Sequence, residues 1–381
     1  MKVNTKQAIK LFFQNPSLEQ VFKEAIANSL DANASKIAIN IFIDSFEKQE
    51  TLQFEIVDDG EGFTNERYDK FCELLSVEEE THQGVGRLVY LSYFNTISVR
   101  SQFGNVVRTF TFDSDFDKDT SDMELSTVES NRNETILRFQ DCSLKRLSSY
   151  SVITPDYLKK VILQEFYPRL YLLKKNKREF EINFSIEIPH KSKKQHVGNY
   201  RTSIGVDDLP DMITVPLDTD IIQMYEETYL DYYIRKKEDN MPTFLMTALC
   251  VDERTKVLDD ILATENIPSF GYDFVFLLRS TILNGQVDPA RQTLTINDNT
   301  LKNLKYIFRR KIAEIISIEI PAIKESNTRK KDYLAKCYPH LVGLFNDDEI
   351  GVVSRTQSIE DAQKAFLRAQ KDIFESATLS D

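Results

Sequence analysis

Leu18, Val21, Phe22, Ala25 and Ile26 recur at intervals of three and four, which predicts an amphipathic helix from Asn15-Pro16 to about Asn33. Pro16 falls in its first turn, where a missing N–H costs nothing. The period then changes to two. Lys36 to Ile43 (KIAINIFI) and Leu52 to Val57 (LQFEIV) alternate as strands do, joined by the polar turn DSFEKQET. Phe63 to Leu75 reads as a helix, the charged Ser76 to Gln83 as a loop, and Gly86 to Asn95 as a buried helix. Strands follow at about 96–101, 104–112 and 135–140. Asp113 to Glu134 holds eight carboxylates against Lys118 and Arg132 and reads as a solvated loop. Thr154-Pro155 opens a helix to about Phe166, and 178–188 is a strand.

The polar segment 189–210, with two prolines and two glycines, reads as a domain boundary. Beyond it the pattern predicts strands near 212–217, 226–235, 243–251 and 272–279, and a short helix around 256–264. A long amphipathic helix begins near Asn299. In 357–378, Ile359, Ala362, Phe366, Ala369 and Ile373 share one helical face behind a Ser358 cap. That helix ends without a clear C-cap, so the chain is expected to be cut from a longer one.

Composition narrows the classes. In 381 residues no apolar run reaches the ~18–20 needed to span a bilayer, and the N-terminus lacks a signal-peptide core. Cys72, Cys142, Cys250 and Cys337 are far apart and the four histidines scattered, which argues against a structural zinc site and for a reducing, cytoplasmic compartment. A net charge of −12 argues against a chain-wide grip on nucleic acid but leaves local basic patches open. Glycine is scarce, 11 in all, yet Gly60, Gly62, Gly84 and Gly86 cluster. Such a cluster marks backbone geometry that other side chains forbid.

Three segments carry candidate chemistry. Glu24, Asn28 and Asp31 stand at i, i+4 and i+7, on a stripe about 60° wide beside the apolar face. Val57-Asp58-Asp59-Gly60-Glu61-Gly62 ends an apolar strand in a carboxylate beside a backbone stripped of Cβ atoms, where a flat ligand can approach. Gln83-Gly84-Val85-Gly86-Arg87 places two glycines before a helix start, an arrangement that suits phosphate. Taken singly, these are also an amphipathic helix with polar shoulders, a hairpin turn and a weak GxG.

In this order and spacing they resemble the GHKL ATPase superfamily of gyrase, the ninety-kilodalton heat-shock chaperone, histidine kinases and MutL. Thr135 in NETILRF stands where that family opens a strand with Thr, although Glu134 replaces the usual preceding glycine. The resemblance implies an α/β (α+β) chain. A Bergerat-type ATP-binding sandwich would occupy 1–190, a transducer-like α/β domain 191–325 and a helical segment 326–381. It implies Glu24 as general base for the attacking water and Asn28 as the Mg²⁺ ligand. Asp58 would take the adenine amino group, supported by Thr135, with Gly60 and Gly62 beside the ring. Asp31 would brace the site. Gln83, Gly84, Val85, Gly86 and Arg87 would form a lid over the phosphates. No P-loop motif competes.

The second half extends the likeness. In FVFLLRSTILNGQVDPARQTLTI (274–296), Arg291 stands where the transducer domain of MutL or the chaperone offers a cation to the γ-phosphate. CVDERTK (250–256) resembles the family's strand-end turn without its Asn-Gly. The implied activity is that of an Mg-ATP-driven switch that closes a lid and homodimerises. A clamp that hydrolyses little ATP and holds a protein or DNA is the alternative, and a chaperone is less favoured because only a helical tail follows the transducer-like part. The basic runs at 174–178, 191–194 and 235–237 would be the DNA contacts or plain solvated surface. Asp113 to Glu124 imitates a calcium loop but has Lys118 where the turn needs Gly.

Overall fold

The computed structural model describes residues 16–72, 86–118, 122–143, 149–190, 198–236, 244–261, 272–288 and 293–339. They divide into two compact units. One is the chain up to Pro210 together with Asp252–Thr255 and Gly285–Thr295; the other is Asp211–Val251, Lys256–Asn284 and the chain from Ile296.

The first unit is built on an eight-stranded sheet in the order β5-β4-β3-β6-β2-β1-β7-β8. Its strands are β1 (Lys36–Phe42), β2 (Gln53–Asp58), β3 (Phe94–Phe103), β4 (Val106–Asp113), β5 (Glu124–Thr127), β6 (Glu134–Cys142), β7 (Glu181–Glu187) and β8 (Arg201–Gly205). β1 and β7 run parallel, and every other neighbouring pair is antiparallel. Helices α1 (Leu18–Asp31), α2 (Asn65–Cys72) and α3 (Pro155–Lys175) complete it.

Alternation decides which face is dry. Ile37, Ile39 and Ile41 of β1, Phe54 and Ile56 of β2, Leu137 and Phe139 of β6, and Ile182, Phe184 and Ile186 of β7 are buried. The residues between them are polar apart from Ala38, and some pair across strands, as Arg138 does with Glu55 at 2.5 Å. A sheet with one wet face and one helix-covered face follows. α1 contributes Val21, Phe22, Ala25 and Ile26 to the core, and α3 contributes Leu158, Ile162, Phe166 and Leu170. At its centre the Phe54 ring stacks on Phe139 with centroids 4.0 Å apart, while Phe22 and Phe94 approach Phe54 at 4.6 and 5.2 Å.

A five-stranded sheet in the order β12-β11-β13-β10-β9 lies in the second unit except for Arg254 and Thr255 of β12, which belong to the first. Here β9 is Ile213–Pro216, β10 Thr228–Lys236, β11 Leu245–Val251, β12 Arg254–Val257 and β13 Tyr272–Ser280. β11 and β13 are parallel and buried on both faces, which explains their nearly unbroken apolar runs. Two helices follow, α4 (Asp298–Glu319), capped by the Asn297 side chain, and α5 (Pro321–Cys337). Among the described residues no helix is long and apolar enough to cross a membrane.

Several elements differ from the sequence reading. α1 starts at Leu18, because Ser17 and Gln20 form a reciprocal capping box that Asn15-Pro16 does not supply. Gly86–Ser92 is a 3₁₀ turn, and β3 already begins at Phe94. Arg87, Leu88, Val89 and Tyr90 are buried in succession, which a tight turn permits and one face of an α-helix does not. The acidic stretch contains β5, an edge strand whose four residues are all exposed, so no apolar pattern marks it. Arg201–Gly205, in the segment read as a boundary, is β8 and pairs with β7. In place of a helix from 256 there is β12, reached through a turn whose Asp252 and Glu253 both have positive φ, 48° and 64°. The 357–378 helix lies outside the described residues.

α3 also continues past Phe166 to Lys175, through Pro168. A proline there removes the N–H that would reach the carbonyl of Gln164. The hydroxyl of Thr255 donates to that carbonyl instead. The break in the helical ladder is thus repaired from a residue of the first unit far away in sequence.

The aromatic centre is the test of this packing. Phe139→Ala, at a fully buried position, is expected to cost ~3–5 kcal/mol. Urea unfolding of the full chain measures it.

Candidate functional site

β2 delivers Asp58 to the dry face because its alternation runs Phe54, Ile56, Asp58. β6 does the same with Thr135, which stands directly across from Asp58 in the register, and β3 places Ser101 across from Thr135. The three side chains therefore lie in a row at one end of the sheet, under α1. Asp58 Oδ2 accepts from Ser29 Oγ at 2.8 Å, and its Oδ1 from the Gly60 N–H at 2.9 Å. Thr135 Oγ1 and Ser101 Oγ are 2.9 Å apart. Burial raises the Asp58 pKa, and the bonds from Ser29 and Gly60 offset only part of that.

Two glycines are obligatory beside this carboxylate. A Cβ on Gly60 would stand 2.8 Å from both Cβ and O of Ala32, and Gly62 has φ +72° with Ser101 Oγ 2.6 Å from any Cβ. The rest of the turn is tied down from outside. Asp59 accepts from Ser35 N, Lys36 N and Ser35 Oγ at 2.6–2.8 Å. Burial works against its charge, but those bonds prevail and hold its carboxyl below the usual range. Buried Arg108 reaches the carbonyls of Phe63 and Thr64 at 2.7 and 2.8 Å and so fixes the entry to α2.

The rim of the site is charged. Glu24 and Asn28 project from α1 one turn apart, Glu24 half-buried and Asn28 exposed. Asn28 Nδ2 donates to the hydroxyl of Tyr90 at 2.8 Å, which commits the amide nitrogen and turns its oxygen the other way. Tyr90 is itself fully buried against Phe139, and burial raises its pKa. Gly86 backs onto Glu24, where any Cβ would overlap Oε2. Asp31 pairs with Arg169 at 2.5 Å. The Arg87 side chain is buried with its guanidinium 4.7 Å from the Phe71 centroid, and desolvation pulls its pKa down to about 10.

Of the residues singled out in the sequence, the structure gathers Asp58, Gly60, Gly62 and Thr135 at the dry end. Glu24, Asn28, Asp31, Gly86 and Arg87 lie along α1 and the turn beside it. Gln83, Gly84, Val85 and Arg291 lie outside the described residues. The sequence reading missed Ser29, Tyr90, Ser101 and Arg254. Arg254 Nη1 lies 2.7 Å from Glu24 Oε1 and 3.8 Å from Glu165. Ser29 had a signal, since it is a polar residue seven positions after Phe22 on the core stripe. Ser101 had one too, at alternate positions after Ile97 and Val99 in a strand, while Tyr90 and Arg254 had none in spacing or period.

Residues 16–146 match the family model for histidine kinase-, DNA gyrase B- and HSP90-like ATPases. In this part the chain is similar to the GHKL ATPase superfamily. The match covers the row of Asp58, Thr135 and Ser101 and all of α1. No curated protein sequence matches the chain. Among solved structures, the chain resembles the N-terminal domain of a DNA repair protein at TM-score 0.54 and 13% identity, over 83% of this chain and 98% of that one. That likeness is one of fold. The Aquifex aeolicus MutL ATPase domain complexed with ADP matches at TM-score 0.38 and 15% identity, over 70% and 92% of the two chains. A Francisella tularensis topoisomerase IV ATP-binding domain matches at 0.41 and 14%, over 95% and 97%. Scores at that level say nothing further about this chain.

Among the described residues no group of three or more His, Cys, Asp or Glu is placed to hold a metal ion. A Mg²⁺ here would take Asn28 as its protein ligand and draw the rest from phosphates and water.

Because burial raises the Asp58 pKa, the folded chain binds that proton more tightly than the unfolded one. Its contribution to stability is complete below the ordinary carboxylate range and declines as pH rises through the folded pKa. Asp58→Asn removes that dependence, and the new amide fits. Ser29 Oγ, already 3.3 Å from the Ala25 carbonyl, can donate there and accept from the amide. Urea midpoints of the nucleotide-free chain at pH 5 and pH 7.5 are expected to show the variant gaining on wild type as pH rises.

Proposed function

We propose that the chain is an ATP-binding and ATP-hydrolysing switch that works with Mg²⁺. The observation that carries the reading is the buried Asp58 carboxylate beside two glycines that admit no Cβ. A buried acceptor flanked by bare backbone suits the amino edge of a flat base, and the family likeness supports ATP as its owner. Thr135 and Ser101 extend the polar row next to it. One turn of α1 then separates the two roles at the phosphate end. Asn28 is the Mg²⁺ ligand, its amide turned by Tyr90. Glu24 is the general base that orients and deprotonates the attacking water. Asp31, tied to Arg169, braces the helix. The segment Gln83 to Arg87 serves as the lid over the phosphates, and Arg291 supplies a cation to the γ-phosphate.

The same reading assigns 1–190 to the ATP-binding domain, 191–325 to a transducer-like domain and 326–381 to a helical segment. The chain is cytoplasmic, homodimerises when nucleotide is bound, and meets a protein or DNA through its basic runs.

Calorimetry and phosphate release test this together. Wild type is expected to bind Mg-ATP. Asp58→Asn loses a hydrogen bond to a charged acceptor, a contribution of ~1.5–3 kcal/mol or roughly 10–100-fold in affinity. Glu24→Ala is expected to keep binding while turnover falls ~10²–10⁴-fold. ATP affinity unchanged in Asp58→Asn refutes the pocket. Turnover unchanged in Glu24→Ala removes the base. Tight binding with background turnover in wild type selects the clamp over the ATPase.

A further inference from the structure

We infer that Arg254 is the positioning residue for Glu24, holding one oxygen of the carboxylate so that the other faces the attacking water. The inference rests on the reading of Glu24 as the base. Arg254 is the first residue after the Asp252–Glu253 turn. Both turn residues adopt left-handed backbone that non-glycine side chains disfavour, with φ 48° and 64°. A turn of that shape reverses the chain in two residues and sets the following side chain closely. It is held from several sides. The Gly285 N–H donates to Asp252 Oδ1 at 2.9 Å, Glu253 lies 3.6 Å from Arg169, and Thr255 caps the Gln164 carbonyl that Pro168 leaves open. Arg254 is therefore delivered by two anchored neighbours, not by its own flexible stem.

Its surroundings are those of a working contact. The Arg254 side chain is 12% exposed and the Glu24 side chain 15%, and Nη1 lies 2.7 Å from Glu24 Oε1. The guanidinium carbon stands 5.3 Å from the Phe166 ring centroid. Burial disfavours its charge, but Glu24, Glu165 and Asp31 together hold its pKa above the ordinary arginine value. The neighbouring charges are themselves paired, Lys23 with Glu165 at 2.9 Å and Asp31 with Arg169 at 2.5 Å. On the other side of the carboxylate, Oε2 lies against Gly86, which has no Cβ to fill that space. One oxygen is fixed by a cation, and the other occupies the place a Gly86 Cβ would take, so it keeps its remaining side for a water. A base must be held near its reacting geometry to be effective, and this is the arrangement that does so.

The test uses the full chain with Arg254→Gln and Arg254→Lys, each made alone and together with Glu24→Gln. ATP affinity is read by calorimetry and turnover by phosphate release. Arg254→Gln is expected to lower kcat ~10–100-fold with affinity within about twofold, since an orienting loss falls on the chemical step. Arg254→Lys should lose less, as it keeps the charge but not the fork. In the Glu24→Gln background neither substitution should reduce turnover further. Without nucleotide, urea midpoints should shift non-additively across the same cycle. Where the glutamine variant does not fold, the lysine variant carries the cycle.

Unchanged or increased kcat in Arg254→Gln overturns the inference, as does an equal loss in both backgrounds, which would place Arg254 on the phosphates and not on the base. If Glu24→Gln alone leaves turnover intact, or wild type has none, the base reading fails and takes this inference with it. A normal Glu24 defect with Arg254-insensitive turnover defeats this inference only.

Discussion

A carboxylate kept on the dry face of a sheet sets the terms for everything around it. The two-residue period of β2 that buries Phe54 and Ile56 buries Asp58 as well. A charge so placed is costly unless its lone pairs are met. They are met by one hydroxyl of α1 and one backbone N–H, so Ser29 must sit on the core stripe of the helix and the chain must turn tightly enough to bring Gly60 back. The turn leaves no room for a Cβ at Gly60 or Gly62. Gly60 and Gly62, half of the glycine cluster, are the consequence of where Asp58 has to be.

A second constraint comes from α3. Pro168 cannot continue the helical ladder, and the open Gln164 carbonyl would be an unpaired polar group if nothing reached it. Thr255 reaches it. One residue earlier, Arg254 reaches Glu24 on α1. A proline that weakens one helix thus creates the dock for the turn that supplies a charge to another. Removing either partner of a half-buried pair leaves the other uncompensated, which gives this contact its energetic weight even though the pair's net contribution to folding is modest.

What the sequence makes legible is whatever rests on period or on residues with special backbones. The stripe of Glu24, Asn28 and Asp31, the end of β2 at Asp58 and the hairpin of β1 and β2 all follow from spacing. Partnerships over distance do not. Ser29 and Asp58 are 29 positions apart, Asn28 and Tyr90 are 62, and Glu24 and Arg254 are 230, and nothing local encodes any of them. β5 escapes because an exposed edge strand buries nothing. The 3₁₀ turn at Gly86–Ser92 escapes because four successive buried side chains look the same to a pattern whether the chain is α-helical or more tightly wound.

The two ends of the site satisfy their carboxylates differently, and that difference bears on what each end accepts. Asp58 is met by a hydroxyl and a backbone N–H, neutral donors that suit an uncharged amino group as a further partner. Around Glu24 the partners are cations. Among the ion pairs there, Glu24, Asp31, Glu165 and Glu253 face Lys23, Arg169 and Arg254. Within that set every cation already faces a carboxylate. Phosphates placed beside it add charge of the same sign, and in a half-buried setting that repulsion is weakly screened. In the proposed reading a divalent ion on Asn28 would answer that repulsion, and so would the basic side chain of Arg291. If this is where the phosphates of the proposed nucleotide lie, these existing ion pairs predict that binding there depends on an added cation.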